Sequence, residues 1–277
     1  MTARTTETPT GVGAPVASAT EAPALRLRGV RKTFRGNSGE EVTALDGVDL
    51  DVAPGEFVTV VGSSGCGKST MLSIIAGLDQ PTSGTVEVQG PVALMFQEAT
   101  LLPWLTARRN VELALKLRGV PRSERAARVE SLLETVHLER WGDHRPFELS
   151  GGMCQRVALA RCLAQEARVV LMDEPLGALD AMTRDHLHDE IEQVARSTGI
   201  SVLFVTHNVR EAVRLGDRVI LMGSHPGRIV HEQVVDLPRP RVMDSADVAS
   251  RAADLTARLK KAATADREAD LNEEVAS

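Results

Sequence analysis

The sequence predicts an α/β protein built around a parallel sheet, and three observations point to it. Apolar, β-branched runs occur at FVTVV (Phe57 to Val61), RVVLMDEP (Arg168 to Pro175) and SVLFVTH (Ser201 to His207), each short enough to be a buried strand. The last two flank a helical stretch rich in Asp, Glu, His and Arg, the strand and helix alternation that parallel sheets require. The first run leads into a Gly-rich turn, VGSSGCGKST from Val61 to Thr70. After it, Met71, Ile74, Ile75 and Leu78 recur at i, i+3, i+4 and i+7, one apolar stripe on a helix.

Read in order, residues 1–22 are Thr, Ala, Pro and Gly with almost no large apolar side chains. They bury too little surface to offset the entropy of ordering and are expected to be a disordered tail. Leu25 and Leu27 alternate with Arg, and Val48, Leu50 and Val52 alternate with Asp, so short strands begin there, separated by turns such as APGE. Gly77 and the DQPTSG turn end the first helix, and TVEV and VALMF are expected to be two more strands. From about 105 to 148 the pattern is helical, with Val129, Leu132, Leu133 and Val136 in register. Beyond Pro240, Val248, Ala252, Leu255 and Leu259 suit one weakly amphipathic helix, and DREADLNEEVAS reads as a solvated acidic end.

A chain of 277 residues, 43% hydrophobic and 25% charged, is long enough for a substantial core. A formal net charge of -6 argues against a generally basic surface, so nucleic acid is not expected as a partner. Cys66, Cys154 and Cys162 form no CxxC pair and are expected to be free thiols in a reducing compartment. With neither a secretory signal nor a run of 18 apolar residues, the chain is expected in the cytoplasm, reaching any membrane through a partner.

Gly62, Gly67, Lys68 and Ser69 satisfy GxxxxGK[ST] between a strand and a helix, and the pattern occurs once. In such a loop, here Gly62, Ser63, Ser64, Gly65, Cys66, Gly67, Lys68, Ser69 and Thr70, backbone N–H groups curl around phosphate oxygens. Lys68 reaches the outer phosphates, and Ser69 offers a hydroxyl to Mg²⁺. Asp173 ends the buried run of Val169 to Met172, where it would meet the Mg²⁺, and Glu174 follows where it could polarise an attacking water. His207 and Gln97 each end a strand. The histidine is read as a γ-phosphate hydrogen-bonder, and the glutamine amide as a contact to Mg²⁺ or the water. A second Gly-rich turn, LSGGMCQRV from Leu149 to Val157, also opens a helix. Ser150 there is an N-cap residue by type.

Taken together and in this order, GSSGCGKST, Phe96–Gln97, LSGGM, LMDEP, GALD and Thr206–His207 resemble the nucleotide-binding subunit of an ATP-binding cassette transporter over about residues 25 to 240. QEATLLPWLTARRNV, DEPLGALDAMTR, LFVTHNVREA and HPGRI narrow the resemblance to importers of the nitrate, sulfonate, taurine and bicarbonate group. The resemblance implies a nucleotide-binding domain over 23–240, with a P-loop core, an N-terminal antiparallel β subdomain and a helical subdomain at about 98–160. A C-terminal extension then covers 241–277. It implies ATP and Mg²⁺ as cofactors, and catalysis by Glu174, His207 and Gln97. The magnesium ligands would be Ser69, Gln97 and Asp173.

In that family two copies pack head to tail, so Ser150, Gly151 and Gly152 of one chain would close over the ATP of the other, and Asp180 would touch the opposite subunit. Phe34 would stack on adenine where relatives carry tyrosine or another aromatic residue. The family's histidine is usually followed by Asp, here Asn208. Implied partners are a membrane permease, whose coupling helix would enter a groove near Gln97, Trp104 and Leu105, and an extracytoplasmic solute-binding protein. The two apolar residues read equally well as core. The place implied is the cytoplasmic membrane face, and the activity is ATP hydrolysis driving uptake of a small anionic solute. A soluble cassette ATPase of translation or DNA repair would share the site but usually carries two cassettes or long insertions. An unrelated P-loop kinase would lack LSGGM and the terminal histidine.

Overall fold

A computed structural model describes residues 22–36, 39–177, 179–224 and 226–276. Apart from Ala22, the expected disordered tail lies outside the described residues.

The N-terminal residues alternate because they form a half-buried antiparallel layer. Strand β1 (Leu25–Arg35) pairs with β2 (Glu41–Val52) on one side and β4 (Ser83–Val88) on the other. Leu25 and Leu27 face inward opposite Val52 and Leu50. The second sheet has the order β5-β6-β7-β3-β8-β9, from β3 (Phe57–Gly62), β5 (Val92–Met95), β6 (Val169–Asp173), β7 (Ser201–Thr206), β8 (Arg218–Gly223) and β9 (Arg228–Val234). Its pairs are parallel except β8 with β9. Every residue of β3 and β7 is buried, as expected of central parallel strands covered on both faces. TVEV and VALMF are adjacent in sequence yet fall in different sheets, as β4 and β5.

Helix α1 (Lys68–Ile75) buries Met71, Ile74 and Ile75, but stops before Leu78. Gly77 takes a left-handed φ of 72°, and Leu78 turns out to solvent, so the fourth member of the expected stripe is not core. The insertion folds as α2 (Ala107–Leu117), α3 (Arg122–Thr135) and α4 (Gly151–Leu163). These share one core with α5 (Ala181–Thr198) and one face of the sheet, with Val129, Leu133 and Val136 fully inside it. Helix α6 (Val209–Leu215) covers β3 and β8.

Helix α7 (Ala246–Ala276) packs Val248, Ala252 and Leu255 onto α6, with Leu259 partly buried. Its backbone stays helical through the segment expected to be a solvated end, consistent with the helix propensity of its Ala, Glu, Lys and Arg content. Among the described residues, no helix is long and apolar enough to cross a membrane.

Candidate active site at the carboxyl ends of the parallel strands

The strand order places the C-terminal ends of β3, β6 and β7 side by side, and each ends in a residue with chemistry. After β3 the chain turns through Ser63 to Cys66 and enters α1 at Gly67, whose φ of 90° is open to glycine. Close approach adds a second reason for glycine: a Cβ on Gly67 would lie 2.6 Å from Leu45 Cδ2 and 2.7 Å from the Ala44 carbonyl oxygen. Strand β2 therefore braces the loop. Gly227 braces it from another direction, since a Cβ there would sit 2.3 Å from the Cys66 carbonyl oxygen, while its own N–H donates to Ala44 O at 3.1 Å. This accounts physically for the glycine of HPGRI.

Lys68 folds back over the loop, its Nζ donating to Gly62 O at 2.9 Å and Ser63 O at 2.8 Å. The ammonium is thus held at the mouth of the curl of amides. Cys66 does not line the cleft and is fully buried, with its Sγ 3.7 Å from Lys68 Nζ, and burial pushes its thiol pKa up. A Cβ on Gly62 would lie 2.5 Å from its Sγ. The thiol is therefore in the packing beneath the loop.

A cleft of about 360 Å³ is lined by Ala44, Ser64, Gly65, Gly67, Lys68, Ser69, Thr70, Gln97, Asp173 and Glu174. Asp173 hydrogen-bonds the Ser69 side chain, and burial raises its carboxyl pKa against that bond, with Glu174 adding to the rise and Lys68 opposing it. A half-buried carboxylate and a hydroxyl, both hard oxygen donors, fit Mg²⁺, which takes few protein ligands and completes its shell with phosphate and water. Among the described residues, no group of three or more His, Cys, Asp or Glu is placed to hold a metal ion.

Glu174 has φ 44°, uncommon for a residue with a Cβ. Its N–H donates to Val205 O at 2.9 Å, which holds the turn, and its carboxylate accepts from His207 Nδ1 at 2.9 Å. Gln97 is placed by Gln155 on α4, whose Nε2 donates to the Gln97 carbonyl at 2.5 Å. The loop after it is clamped by Arg161, donating to Thr100 O and Ala99 O, and by buried Asn110, bonded to Leu102 and Leu105. Trp104 on that loop is 67% exposed and Leu105 half-buried, so the tryptophan is not a core residue. Phe34 lies opposite Val42 on β2, two residues before Ala44 at the cleft. The Lys32 ammonium covers its ring at 4.9 Å from the centroid.

Ser150, Gly151, Gly152 and Asp180 do not line this cleft. Ser150 caps α4, accepting from Met153 N at 3.3 Å, and Asp180 caps α5, accepting from Thr183 N at 3.0 Å, which lowers its pKa. Ser150, Gly151 and Asp180 are exposed. Gly152 is buried, and a Cβ there would meet Thr183 Cγ2 at 2.3 Å, so this glycine serves the packing of α4 on α5. Asn208 caps α6 through its side-chain oxygen, with Arg210 N at 3.0 Å and Glu211 N at 3.4 Å, a role in which Asn and Asp are equivalent.

Sequence reasoning singled out none of Ala44, Gln155 and Gly227 as a site residue, although Gln155 lies in LSGGMCQRV and Gly227 in HPGRI. Only the tertiary contacts reveal their part in shaping the site.

Comparison with known proteins agrees with this geometry. Residues 45–177 match the family model for the ABC transporter domain. The chain is 49% identical to an aliphatic sulfonates import ATP-binding protein of Rhodopseudomonas palustris, over 82% of this chain and 79% of that protein. It is 47% identical to a taurine import ATP-binding protein of Burkholderia pseudomallei, over 72% and 79% respectively. A solved dimer of an ATP-binding cassette in a post-hydrolysis state, bound to ADP and Pi, superposes with a TM-score of 0.69 at 35% identity, covering 77% of this chain and all of that one. With its P-loop, its acidic pair and its histidine gathered at the carboxyl ends of neighbouring strands, the chain belongs to the ATP-binding cassette transporter family and is an ATP hydrolase of that family.

Proposed function

We propose that two copies of this chain hydrolyse ATP between them to drive uptake of a small anionic solute, of the sulfonate, taurine or bicarbonate type, through a separate permease. One observation carries the shared-site reading. The helix N-terminus at Ser150 and the cap at Asp180 are exposed and lie outside their own chain's cleft, so their N–H groups and hydroxyl are available to a second molecule.

In this reading Gly62 to Thr70 cradle the phosphates, with Lys68 compensating their charge. Ser69, Asp173 and the Gln97 amide would hold Mg²⁺, which would supply positive charge to offset that of the phosphates. Glu174 accepts a hydrogen bond from the attacking water. His207, whose Nδ1–H donates to Glu174, is left with Nε2 for the γ-phosphate. Ser150 and the amides of Gly151 and Gly152 come from the second copy, and Phe34 stacks on adenine with its Lys32 face covered. The work is positioning and charge stabilisation.

Domain limits of 23–240 for the nucleotide-binding part, 98–160 for the helical subdomain and 241–277 for the extension suit these roles. Exposed Phe96 and Trp104 flank the clamped loop after Gln97, an apolar rim for a coupling helix of the permease. The place of action is then the cytoplasmic face of the membrane, with an extracytoplasmic binding protein delivering solute. The exposed apolar rim and the relatives named for import favour this over a soluble cassette protein. Reconstitution with the neighbouring permease tests it: sulfonate-, taurine- or bicarbonate-stimulated ATPase activity supports the proposal, and ribosome or DNA association without a permease defeats it.

A further inference from the structure

Helix α5 begins at the Asp180 cap and runs behind the catalytic pair. Two of its residues, Arg184 and His188, are four apart and therefore share a face. Each reaches a different loop. Arg184 donates to Leu176 O at 3.3 Å and Leu179 O at 2.7 Å, so it holds the segment that follows Glu174. His188 is fully buried, and its Nε2 lies 2.7 Å from Glu211 Oε1 on α6, itself only 5% exposed.

The other oxygen of Glu211 accepts from the Thr206 hydroxyl, and that hydroxyl accepts in turn from Asn208 N at 3.0 Å. The chain of bonds from His188 thus ends on the turn Thr206–Asn208, which presents His207. One helix face holds both partners of the Glu174–His207 bond, Glu174 through Arg184 and His207 through His188, Glu211 and Thr206. Between these two supports lies a cavity of about 40 Å³ lined by Glu174, Arg184, Thr206, His207 and Glu211 among others, so both supports converge beside the catalytic pair.

Buried polar groups of this kind need a reason, because a His–Glu pair at this depth contributes little net stability over an apolar pair of equal volume. We propose that His188 is a positioning residue for hydrolysis: through Glu211 and Thr206 it sets His207 against Glu174, and so ties the catalytic pair to the helix that Asp180 caps. The proposal rests on the shared-site reading above. In that reading the second copy contacts Asp180, and any shift of α5 on its arrival reaches both loops at once.

The test uses the full-length protein in single-turnover ATP hydrolysis, with His188→Leu and His188→Gln made in the native background and in His207→Ala. Leucine keeps the volume and removes the donor, whereas glutamine restores an N–H toward Glu211. We expect His188→Leu to lower the hydrolysis rate about 10-fold or more with the half-saturating ATP concentration changed less than ~2-fold, and His188→Gln to recover most of the rate. In His207→Ala the same leucine substitution should cost less than ~2-fold, because residues that act through one another are not additive. If His188→Leu is too unstable to assay, Glu211→Gln, which keeps the shape but replaces the carboxylate, should show the same rate loss at constant ATP affinity.

Equal losses in both backgrounds, an unchanged rate in His188→Leu, or a rate that glutamine does not recover would overturn the proposal in favour of a packing role. Glu174→Gln serves as the control that separates the two readings. If that variant hydrolyses normally, the assignment of the site fails; if it is inactive while His188→Leu is normal, only the coupling fails.

Discussion

His207 Nδ1 lies 2.9 Å from Glu174 Oε2, a hydrogen bond between two loops 33 positions apart in sequence. A carboxylate only accepts, so Nδ1 carries the proton and Nε2 is free to meet a phosphate. The bond also fixes the direction of a carboxylate whose backbone already sits in the left-handed region. Glu174→Gln should retain ATP binding while hydrolysis falls about 10²–10⁴-fold, the span expected for loss of a general base. His207→Ala should lose a similar factor, and the double variant should be little worse than either. Rates with radiolabelled ATP, beside equilibrium binding of a fluorescent analogue, check this; a Glu174→Gln protein with normal turnover removes Glu174 from the mechanism.

Gly151 and Gly152 are neighbours with different physical duties. A Cβ on Gly151 would meet only Leu179 Cδ2 at an ordinary 3.8 Å, whereas one on Gly152 would collide with Thr183. Gly151→Ala should therefore leave thermal stability and ATP binding by the single chain intact while impairing ATP-dependent dimer formation and turnover. Gly152→Ala should lose stability by about 1–3 kcal/mol, as overpacking does. Thermal melts with size-exclusion chromatography separate the cases, and a normally dimerising, fully active Gly151→Ala argues against a shared site.

Asp173 gives a pH dependence whose sign follows from burial. Its folded pKa is raised, so the folded state holds the proton more tightly than the unfolded chain. The associated stability is present below the ordinary aspartate pKa and is lost as pH rises through the higher folded value. Above that folded value the ionised, half-buried carboxylate is a cost to the nucleotide-free protein, one that a bound divalent cation would relieve. Asp173→Asn should raise the melting temperature at pH 7 in EDTA by ~2 °C and remove the gain that Mg²⁺ and ATP confer on the native protein. Scanning fluorimetry reads both, and a lowered melting temperature in EDTA contradicts the argument.

The three thiols should differ in reactivity. Burial raises each pKa, to about 12 for Cys162, while Cys154 is only half-buried, its Sγ donating to Pro146 O at 3.5 Å. Alkylation at pH 8 should label Cys154 first, with Cys66 slower by about 10-fold or more because the thiolate and access both control the rate. Cys66, once modified, should block ATP binding, and bound ATP should slow its modification further. Peptide mass spectrometry over time gives the order; a Cys66 that reacts fastest would mean the loop opens far more than its packing implies.

Lys68→Ala removes the ammonium that bridges Gly62 and Ser63, and with it the one buried cation at the cleft. ATP affinity should fall about 100-fold or more, since bonds from a charged donor to phosphate are the strong ones. Isothermal titration tests it, and near-native affinity would place the phosphates elsewhere.

What the sequence determined by itself were the features that depend on local order. The P-loop is a contiguous strand, turn and helix, so its nine residues, its two obligatory glycines and the buried strand before it could be read directly. The same holds for Asp173 and Glu174 at the end of VVLM and for the cap at Ser150, because a cap is set by a residue and the three that follow it. The tertiary structure decided everything that needs one segment to meet another. It assigned TVEV and VALMF to separate sheets and left Leu78 exposed, because the choice depends on which layer each apolar face can bury against. It set Ala44 and Gly227 against the P-loop and Gln155 against Gln97. It also joined His188 to Thr206 through Glu211, across three elements whose sequences give no sign of one another. Local propensity acts over a few residues; contacts between distant segments arise only when the chain closes around its core.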